Sequence, residues 1–106
     1  MRLILTTFAH ADDAARVIRQ LVEEKLVACG TIFPGARSIY AWQGAIEDAS
    51  EAVVLLKTSV VRVSEARSRL LALHPYETAE VMVMSPEFVA PRYLAWVLEH
   101  CGSSIS

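Results

Sequence analysis

The sequence predicts an α+β fold with an antiparallel sheet, its elements running βαββαβ with one further helix at the C-terminus. Three observations carry that expectation. Residues 28–42 and 45–58 are long stretches rich in β-branched, aromatic and apolar residues, parted only by Gln43-Gly44, a pair suited to a tight hairpin turn. Residues 3–7 and 79–84 are shorter apolar runs of strand character. Between them lie residues 12–26 and 60–73, where apolar side chains return at the spacing of a helix face.

In the first strand, Leu3, Ile4 and Leu5 precede Thr6 and Thr7, and Asp12 and Asp13 then stand where acidic groups suit the positive end of a helix. Along that helix Ala14, Val17, Ile18, Leu21 and Val22 make a packing face, with Arg16, Gln20, Glu23 and Glu24 on the wet side. Pro34-Gly35 interrupts the second strand in the manner of a bulge. The third strand begins polar through Glu47, Asp48 and Glu51, then becomes wholly apolar at Val53-Val54-Leu55-Leu56, a run expected to be buried on both faces. Val63, Ala66, Leu70 and Leu73 carry the second helix to His74-Pro75, where proline stops it. Pro91 opens the last helix, residues 91–100, which Tyr93, Leu94, Trp96, Val97 and Leu98 leave apolar nearly all round. This order is the split βαβ, or ferredoxin-like, arrangement with a long central hairpin.

A chain of 106 residues has room for one domain, taken as residues 1–106. Hydrophobic residues make up 54% and charged ones 21%, more apolar than a lone small domain needs, so another subunit is expected to cover part of the surface. The strand over residues 28–42 would span roughly 50 Å. A domain of this size has a radius of gyration near 13 Å, so the hairpin must overhang. Overhanging ribbons expose backbone edges that stable proteins cover, which makes a closed homo-oligomer the expected state.

Several functions are excluded. Ten basic against twelve acidic residues give a formal charge of −2, and no stripe of Lys or Arg could neutralise phosphates, so nucleic acid is not an expected partner. Neither the first strand nor residues 53–58 carry the basic-aromatic signature of an RNA-recognition module. No apolar run approaches the roughly 18 residues that span a membrane. The N-terminal Leu3-Ile4-Leu5 followed by Ala9-His10-Ala11 is too short for a signal peptide and reads as strand. Cys29 and Cys101 form no Cys-x-x-Cys or disulfide-dense pattern, which points to a reducing cytoplasm. No nucleophile–base assembly or glycine-rich phosphate loop appears, so no enzyme is expected.

The chemistry-bearing residues each have two readings. His74 is a candidate metal ligand through neutral imidazole, with an oxygen from Glu80, a mixture that suits copper or zinc. Alternatively it stabilises the negative end of the second helix. Cys29 offers a soft thiolate or is a small buried hydrophobe, and Cys101 is expected to be an accessible thiol. Tyr40, Trp42 and Tyr76 can line a concave site with directed polar groups, or can be interface packing. Lys57, after four apolar residues, must snorkel outward or meet a carboxylate, for which Glu51 and Glu80 are the candidates.

The segment Glu24-Lys25-Leu26-Val27-Ala28-Cys29, then Ile32-Phe33-Pro34-Gly35 and Ser38-Ile39-Tyr40-Ala41-Trp42-Gln43-Gly44, resembles the CutA family of divalent-cation tolerance proteins. Leu56-Lys57-Thr58, His74-Pro75-Tyr76-Glu77 with Glu80, and Tyr93-Leu94-Ala95-Trp96 extend the resemblance nearly end to end. It implies a homotrimer whose long hairpins pair between subunits, a role in metal tolerance, and binding of copper or other divalent ions. It also implies likeness to the trimeric PII signalling proteins. On that likeness the alternative function is a regulatory module whose inter-subunit clefts, near Tyr40, Trp42, Glu51, Lys57 and Tyr76, bind a small molecule or partner protein. Some members carry a cysteine at the end of the first strand and a second histidine beside the one retained as His74. This chain has Thr6 and Leu73 there, and Gly30-Thr31 in place of a Val-Asn-like pair.

Overall fold

The computed structural model describes residues 1–102. Strand β1 (Arg2–Phe8) leads to helix α1 (Ala11–Glu23), the hairpin of β2 (Cys29–Trp42) and β3 (Ala45–Thr58), helix α2 (Val63–Leu73), strand β4 (Val81–Met84) and helix α3 (Pro91–His100). The sheet order is β2-β3-β1-β4, and each neighbouring pair is antiparallel, as the ferredoxin-like expectation requires. Among the described residues no helix is long and apolar enough to cross a membrane.

Local chemistry explains most boundaries. Gln43 and Gly44 both take positive φ, 49° and 81°, the requirement of a two-residue type I′ hairpin. Helix α1 ends before the expected residue 26. Lys25 turns to φ 59°, its N–H bonding to Val22 O and that of Leu26 to Leu21 O, which is the paired signature of a Schellman cap. Helix α2 is regular from Val63 and not from residue 60, and Ser59 closes the turn ahead of it, its hydroxyl accepting the Arg62 N–H and its carbonyl the Val63 N–H. Strand β4 is shorter than the expected 79–84.

Helices α1 and α2 cover one face of the sheet. Ile4 and Phe8 from β1, Val54 and Leu56 from β3, Val17 and Leu21 from α1, and Ala66 and Leu70 from α2 share one buried cluster. Gly30 is required there, because a Cβ at that position would come within 2.9 Å of both Ile18 Cγ2 and Leu56 Cδ2. Gly30 thus lets α1 pack closely over β2.

The opposite face is not buried. Cross-strand partners share a face, so Leu3, Leu5, Val53 and Leu55 lie together with Met82, Met84 and Phe33. The first four are half-buried and the last three exposed. Residues 53–56 therefore alternate between half-burial and full burial within this chain, where burial on both faces was expected. Helix α3 closes only the end of the sheet, through a small cluster of Ala28, Val97, Cys101 and Met1. Its Tyr93, Trp96 and Leu98 remain exposed. Cys101, expected to be accessible, is buried in that cluster, its Sγ 3.9 Å from Thr58 Oγ1.

Strand β1 pairs with β3 only from Ala52 onward, so residues 45–51 have β2 as their one neighbour and the hairpin overhangs. The principal extents are 46 × 27 × 21 Å and the radius of gyration 14.5 Å, against about 13 Å for a compact chain of this length.

Candidate functional site

A cleft of about 630 Å³ opens between the overhanging hairpin and the segment joining α2 to β4. One wall carries Tyr40 and Trp42 from β2 and Glu51 from β3, and the other carries Tyr76, Glu77 and Glu80. The remaining lining residues, Thr7, Ser38, Ile39 and Thr78, are uncharged.

The bulge decides which aromatic residues reach this side. Before it Phe33 pairs with Val53, and after it Ala36 pairs with Glu51, so two residues of β2 oppose Ala52 alone. Cys29, Thr31 and Phe33 therefore share a face with the even-numbered Ser38, Tyr40 and Trp42. Strict alternation from Phe33 would have put Ile39 and Ala41 there. Tyr40 pairs with Glu47 and Trp42 with Ala45, and the same face runs on to Glu51.

His74 holds the other wall in place. Its ring is buried, stacked on Phe8 at 4.3 Å and 13°, and lies 4.9 Å from the Tyr76 ring. The Tyr76 N–H donates to Nδ1 at 3.1 Å, so the other nitrogen carries the proton, and Nε2–H donates to the Thr7 carbonyl at 2.8 Å. One neutral tautomer fits. Burial pushes the His74 pKa down, partly offset by the Thr7 bond, which favours the charged ring. Burial first, then the negative charge of Glu51, holds the Tyr76 hydroxyl above its ordinary pKa, so it stays a neutral donor.

Within this chain the expected metal set of His74, Glu80 and Cys29 does not come together. Both nitrogens of His74 are spent on backbone partners, so neither offers a free lone pair. Cys29 stands opposite Lys57, which itself pairs with Leu3, four residues from Thr7 and so about 13 Å along β1. Its sulfur lies 3.6 Å from Tyr93 Oη, and that contact, with burial second, pushes the Tyr93 pKa up to about 12. Among the described residues no three His, Cys, Asp or Glu side chains gather into a metal-holding group. Thr6 is fully buried on the helix-covered face, and Leu73 packs against the core, so neither position faces the cleft.

Of the expected cleft residues, Tyr40, Trp42, Glu51 and Tyr76 come together, and Glu80 joins them. Lys57 does not. It lies six residues along β3 from Glu51 and donates from Nζ to Thr31 Oγ1, its cross-strand diagonal neighbour, rather than to a carboxylate. Glu77 also lines the cleft. Its place beside Tyr76 on the segment that must cross from α2 to β4 was the available signal.

The chain matches the family described as CutA1 divalent ion tolerance protein over residues 2–100. It is 35% identical over 100 residues to the divalent-cation tolerance protein CutA of Thermus thermophilus, covering 94% of this chain and 97% of that protein. The crystal structure of CutA from Xylella fastidiosa superposes with a TM-score of 0.91 at 40% identity, covering 95% and 97% of the two chains. The structure described as the PII-like protein CutA from Nostoc sp. PCC 7120 in apo form gives 0.88 at 30% identity, covering 97% and 99%.

Proposed function

The chain belongs to the CutA1 divalent ion tolerance family, and from that premise we propose that it acts in the response to divalent cations as a homotrimer, binding copper or a similar ion weakly in the cleft. The observation that carries the reading is the cleft itself, where Glu51, Glu77 and Glu80 face an opening whose lining holds no Lys, Arg or His. Oxygen donors that do not gather at one point within the described residues of a single chain make a weak site until a neighbouring subunit adds to it, and among first-row divalent ions copper still binds such donors most tightly. Assembly is supported by the bare face of the sheet and by an accessible surface of 6727 Å², against about 5,900 Å² for a compact monomer of this size. The cleft then lies where a neighbouring hairpin meets this one. Cys29 and Cys101, both free thiols, support a reducing compartment such as the cytoplasm.

The aromatic walls favour a second reading, a PII-like module in which the same clefts hold a small molecule and signal through the trimer. Titration with copper(II) of the parent, a His74→Gln variant and a Glu51→Gln/Glu80→Gln double variant tests the first reading. Binding should survive the histidine change and fall at least tenfold in the double variant. Equal affinity in all three proteins would remove the cleft from the metal site.

A further inference from the structure

We propose that the cleft is selective for small organic cations, aliphatic amines or guanidinium compounds carrying more than one positive charge. This rests on the reading of the cleft as the binding site and names the ligand class it takes.

Charge is the first ground. Among the described residues the ion pairs are Arg16–Asp13, Arg37–Asp48, Arg62–Glu65 and Arg69–Glu24, so Glu51, Glu77 and Glu80 are not neutralised by any of them. With only uncharged residues completing the lining, the opening favours cations and repels phosphates and carboxylates.

Size and wall chemistry choose among cations. A bare divalent ion needs ligands within about 2.0–2.6 Å of one point, and no three candidate ligands gather here among the described residues. A cleft of about 630 Å³ is instead in the range that encloses a small organic molecule. Each wall also offers both halves of what an alkylammonium ion requires. Tyr40 and Trp42 accompany Glu51 on the hairpin, and Tyr76 accompanies Glu77 and Glu80 on the facing segment. Aromatic faces attract a cation and cover its methylene groups, while carboxylates accept its N–H bonds. Carboxylates on two facing walls suit two separated charges. The Tyr76 hydroxyl remains protonated and adds no negative charge of its own.

Calorimetric titration of the full chain with spermidine and with arginine, beside copper(II) and ATP, tests this. Spermidine should bind more tightly than arginine, ATP should not bind, and Glu51→Gln and Glu80→Gln should each weaken spermidine at least tenfold. Trp42→Leu should weaken it severalfold, with sedimentation confirming that each variant keeps the parent's assembly. Copper binding that depends on Glu51 and Glu80 with no spermidine binding would overturn this inference and leave the divalent-ion reading standing. Spermidine binding without copper binding would support the inference and overturn that reading. Spermidine affinity unchanged in both glutamine variants would place any amine site elsewhere and defeat the proposal.

Discussion

Along β3, residues 52–58 alternate between full burial and half-burial, whereas residues 45–51 are exposed except for the half-buried Ala49 and Glu51. The two halves belong to one strand and share one partner, β2, but only the first has β1 on its other side and two helices above it. Its Ala52, Val54 and Leu56 are thus accounted for within the chain, while Val53 and Leu55 stay half-buried on the bare face. The apolar residues of the overhang are not accounted for: Ile39 is 66% exposed, Ile46 75% and Trp42 53%. On the proposed reading, a neighbouring subunit and the contents of the cleft are what cover the apolar residues kept in the overhang.

The sharpest way to break that contrast is to make a hole in the covered half. Leu56 is fully buried, between Ile4 on β1 and Gly30 on β2. Leu56→Ala leaves a hole in the buried cluster that Leu56 shares with Ile4 and Leu21 and should cost about 2–5 kcal/mol, read as a lower denaturation midpoint in urea. A loss below about 1 kcal/mol would mean that this half is not the core of the fold.

The overhang should respond in the opposite sense. Ile46→Lys changes a residue with little cover in its own chain, so the spectroscopic signature of the folded chain should persist while assembly fails. Burying such a side chain at an interface contributes about 1.5–3 kcal/mol per protomer. Sedimentation should therefore shift toward monomer at micromolar concentration. An intact oligomer would show that this face of the ribbon is left in water.

What could be read beforehand divides along similar lines. The Gln43-Gly44 turn, the Pro34-Gly35 bulge and the Pro91 helix start were legible because each depends on the backbone preferences of a few adjacent residues. The four strands and three helices followed from spacing. The fate of His74 was not legible, since its partner Thr7 is 67 residues away and Nδ1 is satisfied by a backbone N–H that every residue but proline carries. Lys57 could snorkel outward or meet a carboxylate on the sequence alone, and its actual partner, a threonine two residues along β2 from its cross-strand partner, carries no charge to point to it. The cleft was half legible. The aromatic and acidic residue types announced a site, but the parity change at the bulge decided which of them share a face.

His74 joins the two regions and supplies the subtlest test. It bonds β1, in the covered half, through Nε2, and through Nδ1 it fixes the backbone of Tyr76, at the cleft. Protonating Nδ1 would set two N–H donors against each other at 3.1 Å, in a site where burial already disfavours the charge. The folded pKa is thus depressed below the unfolded value near 6.5, so the unfolded chain binds more protons in the interval between the two. The neutral ring's contribution to stability is fully present above about pH 6.5 and is lost as pH falls through the lower, folded pKa. The melting temperature of the parent should be lower at pH 5.5 than at pH 7.5. A His74→Gln variant, less stable at both values, should show a smaller difference because the titrating group is gone. Cleft binding should weaken over the same acidic interval, since the segment carrying Tyr76, Glu77 and Glu80 loses its tether to β1. An identical pH dependence in the two proteins would assign the effect to other groups and reduce His74 to the end of α2.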